Sequence, residues 1–161
     1  SLLQNAEKVI RVTNNSDAAI PYVHFAIRFL RQLMQTKSLE SAFAHAHSKA
    51  PTAIQALTEK AWNSKNKNLE EVSAELGRTC YLKEALPLSL YVLKNTKSYK
   101  EAVRMNILAG GDSCGRSMLV GAAATALYGT ATANGLDLTW ILKLNRGVEL
   151  SEILKNRDEE T

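Results

Sequence analysis

The segment Ala109–Arg116, AGGDSCGR, gathers residue types that do chemistry. It holds three glycines, one carboxylate, one thiol and one guanidinium between two apolar helical stretches. Glycines let backbone approach a ligand with no Cβ in the way. A helix start points free N–H groups and a partial positive charge at whatever lies in front of it. A carboxylate such as Asp112 can bind a hard cation there through oxygen. Asp112 or Ser113 can equally serve as a plain N-cap after a Gly-rich turn. Residue types alone leave both readings open.

The remaining reactive residues are scattered. His45 and His47 are two apart, so on a helix they point to different sides and do not readily share a metal. With the lone His24 they read as surface or packed side chains. Cys80 and Cys114 are too few for a disulfide scaffold or a four-Cys zinc site. They read as inert thiols in a reducing, cytoplasmic setting, with a redox pair as the rarer alternative. Asn14 and Asn15 sit in TNNS, Thr13–Ser16, where residues that favour caps and turns interrupt a helical pattern.

The elements that must position these residues are helical nearly throughout. LLQNAEKVIRV places Leu2, Leu3, Ala6, Val9 and Ile10 on one face. The next helix starts near Ser16–Asp17, with Pro21 in its first turn. Ser38 is the expected N-cap of a third helix, with Glu40 in its first turn, and Pro51 the expected first residue of a fourth. Asn68 opens a helix that stops at Gly77. RTCYLKEA reads as irregular before LPLSLYVLKN resumes helical spacing. SYKE, Ser98–Glu101, has the form of a capping box. The helix after GGDSCGR is apolar all round to Gly129, so it is expected to be the most buried, with Gly121–Ala124 as its small contact surface. Gly121→Leu is expected to overpack it. LTWILKL and ELSEILKN read as short terminal helices, and RDEET as a frayed end. The fold class is all-α, a multi-helix globule with no internal repeat.

Composition bounds the partners. The chain has 161 residues, 45% apolar and 22% charged, with a net charge of +4. The basic residues are interspersed with acids, and NSKNKN, Asn63–Asn68, reads as a solvated loop, so nucleic acid is not the expected partner. The run MLVGAAATALYG is too short to span a bilayer. The opening SLLQNAEKV has neither Met nor the pattern of a signal peptide, and reads as a processed product or a piece of something longer.

NILAGGDSCGRSMLVGAAATALYG resembles the ADP-ribosylglycohydrolase family, whose active members carry a GGD-T-D-T motif opening a buried small-residue helix. The segment TCYLKEALPLSLYVLKNTKSYKEAVRMNILAGGD and the stretch VTNNSDAAIPYVHFAIRFL are similar to a sub-group with GGD-[SN]-C-[GA]-R that includes jellyfish crystallins. The likeness spans Val9–Gly129. It implies an all-α fold, a binuclear Mg²⁺ site, an ADP-ribose-type ligand and hydrolysis of a glycosidic bond of ADP-ribose. By position, Asp112 matches the first metal-binding Asp. Gly110 and Gly111 match glycines that let the loop approach the ligand. Asn14 and Asn15 would face the cleft.

Cys114 and Gly115 fall where active members carry an Asp and a Thr that bind metal. Sulfur is a soft donor and glycine has no side chain, so this departure puts the binuclear pair in doubt. Ser113 offers only a hydroxyl, and Arg116 would either fill part of the vacated site or pair with Asp112. The family's upstream Gly-Asp and T-D-D-T motifs are missing. Residues 1–161 are therefore expected to be the C-terminal part of one family domain, completed by the N-terminal half as a second chain or by a homo-oligomer. Three readings stay open: a hydrolase segment, an inactive member serving as a nucleotide-sugar binder or crystallin-like protein, or a helical interaction module unrelated to the family.

Overall fold

The computed structural model describes residues 1–64, 68–150 and Glu152. The segment RDEET, expected to fray, most of ELSEILKN and the centre of NSKNKN lie outside the described residues. The chain runs through α1 (Leu2–Thr13), α2 (Ile20–Thr36), α3 (Leu39–Ser48), α4 (Thr52–Asn63), α5 (Leu69–Leu76), α6 (Leu82–Lys94), α7 (Tyr99–Leu108), α8 (Ser113–Tyr128) and the short α9 (Thr139–Leu142). Among the described residues, β pairing is limited to an isolated bridge between Thr130 and Leu136. The fold class is all-α.

Local chemistry sets most boundaries. Asn14 ends α1, and Ser16 precedes a 3₁₀ turn, Asp17–Ala19, that leads into α2 with Pro21 in its first turn. Ser38, Asn68 and Ser98 cap α3, α5 and α7 by accepting from the backbone N–H of Ser41, Glu70 and Glu101. Gly77 and Gly129, with φ of 90° and 79°, end α5 and α8.

Three boundaries differ from the sequence reading. Pro51 is the N-cap of α4 rather than its first residue. Glu101 reaches back to the N–H of Lys97, one residue beyond the cap, so Ser98–Glu101 closes as half of a capping box. α6 begins at Leu82, with Pro87 inside it. Pro87 removes only one helical N–H, and burial on neighbouring residues outweighs that loss.

The core forms where α2, α3, α4, α6 and α8 meet. Phe25, Phe29 and Leu33 of α2 are fully buried against Phe43, Leu90, Val92 and Val120. Phe43 stacks on Trp62, their ring centroids 3.9 Å apart, which makes Trp62 a core-wall residue. α6 touches α2, α4, α5, α7 and α8, and every residue from Leu86 to Leu93 is buried. This overturns the expectation that the small-residue helix is the most buried. α8 does pack on α2, α6 and α7, but it buries only Arg116, Val120, Ala123 and Ala124. Ala122 and Met118 face solvent. An apolar sequence could not show which side of α8 lacks a neighbour.

Gly121 is also roomier than expected. A Cβ built there meets only Tyr99 Oη, at 3.7 Å, an ordinary contact. Gly121→Ala should therefore raise unfolding free energy by about 0.5–1 kcal/mol through helix propensity. Denaturant melts would show it, and a clear loss of stability would mean that this face is tighter than the geometry indicates.

Candidate functional site

α7 ends at Leu108 with Ala109 as its C-cap, and the chain turns through Gly110 and Gly111, whose φ of 71° and 62° lie in the left-handed region. Gly111 has a second reason to be glycine. A Cβ there would overlap the Arg78 carbonyl, because the loop crosses the segment between α5 and α6. Asp112 N donates to that same carbonyl at 2.8 Å. The loop is thus pinned to backbone far away in sequence.

Asp112 is the N-cap of α8: its Oδ1 accepts from Gly115 N at 3.0 Å. Gly115 lies directly under this carboxylate, and a Cβ at that position would collide with Asp112 Oδ2. The cap and the glycine are one device. A side chain at 115 would displace the carboxylate from the helix start.

Arg116 sits one turn into α8 and is 1% exposed. It makes no ion pair with Asp112. Its Nε donates to Asn106 Oδ1 at 3.0 Å, and its Nη2 donates to the carbonyls of Asn106 and Gly110 at 3.2 and 2.5 Å. Its Nη1 reaches the Arg78 carbonyl at 3.4 Å. Asn106, 2% exposed, completes the web by donating from Nδ2 to the Ser113 carbonyl at 2.8 Å. Burial pulls the guanidinium below its ordinary pKa, and the nearby Asp112 charge opposes that pull. An arginine still keeps its proton throughout the ordinary pH range.

Two adjoining depressions extend from this loop. One is a largely apolar groove whose walls include Tyr22, Leu82, Leu86, Gly115, Arg116 and Met118. The other is lined by Asn14, Ser16, Cys80, Tyr81 and Lys83, and shares Tyr22 and Leu82 with the first. Tyr22 and Leu82 therefore bridge Asn14 to the start of α8. Asn15 is outside both linings; it is exposed and its Oδ1 accepts from Arg11 at 3.0 Å. Ser113 is half-buried, and Cys114 and Cys80 are free and exposed. The groove-lining Tyr22, Tyr81, Leu82 and Met118 were missed by sequence reasoning, which saw Tyr22 and Met118 as apolar helix positions and Tyr81 and Leu82 as part of an irregular link.

The segment before α6 has its own anchor. Glu84, in the first turn of α6, accepts from Thr79 N at 2.9 Å and Thr79 Oγ1 at 2.8 Å. These bonds hold its carboxyl below the usual carboxylate range, the backbone bond most of all. The histidines are dispersed. His45 lies 3.4 Å from Lys49 Nζ, while His24 and His47 each have a buried Nε2 with no partner among the described residues.

The family model for ADP-ribosylglycohydrolase matches residues 1–160. The chain belongs to the ADP-ribosylglycohydrolase family. No curated protein and no solved structure matches it. The all-α architecture is that of the family.

In this family member, then, the Gly-Gly-Asp turn is held by buried polar groups. Arg116→Met should cost about 2–4 kcal/mol, since it leaves buried carbonyls and the Asn106 amide oxygen unpaired. Arg116→Lys should recover only part of the loss, because an ammonium cannot reproduce the planar fork. Urea unfolding of both variants tests this, and wild-type stability of either would refute it. A second outcome concerns pH. A depressed carboxyl stabilises fully above its unfolded pKa and loses that contribution as pH falls through the folded value. Glu84→Gln should therefore reduce the loss of stability as pH falls through the carboxylate range and leave the shape near neutrality unchanged. Melts from neutral pH into the acid range check the sign.

Proposed function

We propose that this member of the family binds an ADP-ribose-type ligand at the start of α8 and has no binuclear Mg²⁺ centre of its own. The observation that carries this reading is the electrostatic balance of the loop. Arg116, hydrogen-bonded to neutral oxygens and in no direct ion pair, places a positive charge one turn into α8, and Asp112 is the one carboxylate of the motif. Such a site favours a phosphate-bearing anion.

The donor set does not fit two Mg²⁺ ions. Mg²⁺ needs hard oxygens in near-octahedral arrangement. Asp112 has committed one oxygen to the cap. Cys114 would offer sulfur, Gly115 offers nothing, and Ser113 is a weak donor. Gly110, with nothing nearer than 3.9 Å to where a Cβ would lie, lets the ligand approach backbone, while Arg78 backs Gly111, and the Tyr22–Leu82 cleft running to Asn14 gives room for its uncharged part.

Hydrolysis of a glycosidic bond would need acidic groups beyond those of this loop. We assign them to the family's N-terminal half, as a second chain, or to a second copy. Ile107, Leu108 and Met118 flank the loop in sequence and are 60%, 77% and 77% exposed, which suits a docking face. One feature favours the hydrolase reading: Asp112 Oδ2 accepts no hydrogen bond among the described residues, and a completed metal site would use that oxygen.

Calorimetric titration separates the two. ADP-ribose should bind with chelator present, and Mg²⁺ alone should give no tight two-site isotherm. Two-site Mg²⁺ binding that vanishes in Asp112→Ala, with turnover of an ADP-ribosyl substrate, would replace this reading with the hydrolase.

A further inference from the structure

On a different face, α1, α2 and α3 enclose a cleft of about 400 Å³ whose lining carries no acidic residue. Arg28, Arg31, Gln32 and Gln35 follow an i, i+3, i+4, i+7 spacing, so they share one side of α2. Across from them, His45 and Lys49 stand one turn apart on and just after α3. The first turn of α1 closes the cleft through Leu2 and Leu3.

None of Arg28, Arg31 and Lys49 makes an ion pair among the described residues. Arg28 spends one donor on the Lys49 carbonyl, at 3.2 Å, and Lys49 Nζ lies 3.4 Å from His45 Nε2. Arg31 is exposed and donates to nothing described. Elsewhere Arg11 meets Glu7 and Asp17, and Arg146 meets Glu149, while Arg78 and Arg104 stand singly without an ion pair among the described residues. Like charges gathered without acids repel one another, and that repulsion is relieved by a multivalent anion. Two arginine forks have the geometry for phosphate oxygens, with glutamine amides beside them as neutral donors. The volume is that of a small-molecule site rather than a track for a polymer.

We propose that this cleft is a second binding site, for a small molecule carrying clustered phosphates. Arg28, Arg31 and Lys49 supply its charge, and Gln32 and Gln35 its neutral donors. It is separate from the α8 loop, and it stands or falls independently of the function proposed there.

The probe is inorganic tripolyphosphate, titrated calorimetrically into the full chain in phosphate-free buffer. One-to-one binding is expected, weakening as salt is added. Arg28→Gln and Arg31→Gln should each weaken it by about tenfold, the loss typical of a charge-assisted hydrogen bond. Arg28→Gln also removes a bond to the end of α3. Arg31→Gln removes none, so its melting temperature should match wild type and its affinity loss can be read directly. Absence of binding would overturn the proposal, as would affinity unchanged in both variants. Tighter binding of a single-stranded oligonucleotide, growing with its length, would also overturn it by making the face a nucleic-acid surface.

Discussion

A guanidinium with almost no access to water must be given oxygens, and the Arg116 site is arranged around that demand. The desolvation cost of a buried charge is several kcal/mol when it is left unpaired. Here no carboxylate meets it. The oxygens come from Asn106 on α7, Gly110 in the turn and Arg78 in the link between α5 and α6. One side chain therefore ties the end of α7 and the Gly-Gly turn to the α5–α6 link, 38 positions away. The same Arg78 carbonyl also takes the Asp112 N–H, so the turn is held from both sides. Gly111 follows as a requirement, since any side chain there would strike Arg78.

That arrangement fixes what the start of α8 can offer a ligand. Asp112 is spent partly as a cap, and its carboxylate occupies the space a side chain at 115 would need. The Asp112 carboxylate therefore meets both the positive end of α8 and the field of the buried Arg116.

The supporting architecture is less specialised. α6 is enclosed by five helices and carries the continuous buried run Leu86–Leu93. It positions the Tyr81–Leu82 end beside Tyr22, and so brings the α1–α2 corner into one cleft with α8. A proline inside α6 is tolerated because burial on both sides of it outweighs one missing backbone bond.

The amino-acid sequence by itself determined the all-helical class, the caps at Ser38, Asn68 and Ser98, the stops at Gly77 and Gly129, and the family, because these rest on local backbone chemistry and on a short specific motif. Asp112 as a cap was legible for the same reason. Only the tertiary structure decided which apolar helix is enclosed. α6 and α8 read alike in hydrophobicity, but neighbours surround one and leave Ala122 and Met118 of the other in solvent. Nor could spacing show Arg116 turning away from Asp112 toward carbonyls. Those acceptors lie 6, 10 and 38 positions away, and backbone oxygens carry no signature in sequence. The basic cleft escaped notice for a related reason. Arg28 and Arg31 lie on α2 and Lys49 follows α3, with Glu40 between them in the chain, and only the packing of α2 on α3 brings the three cations into one cleft.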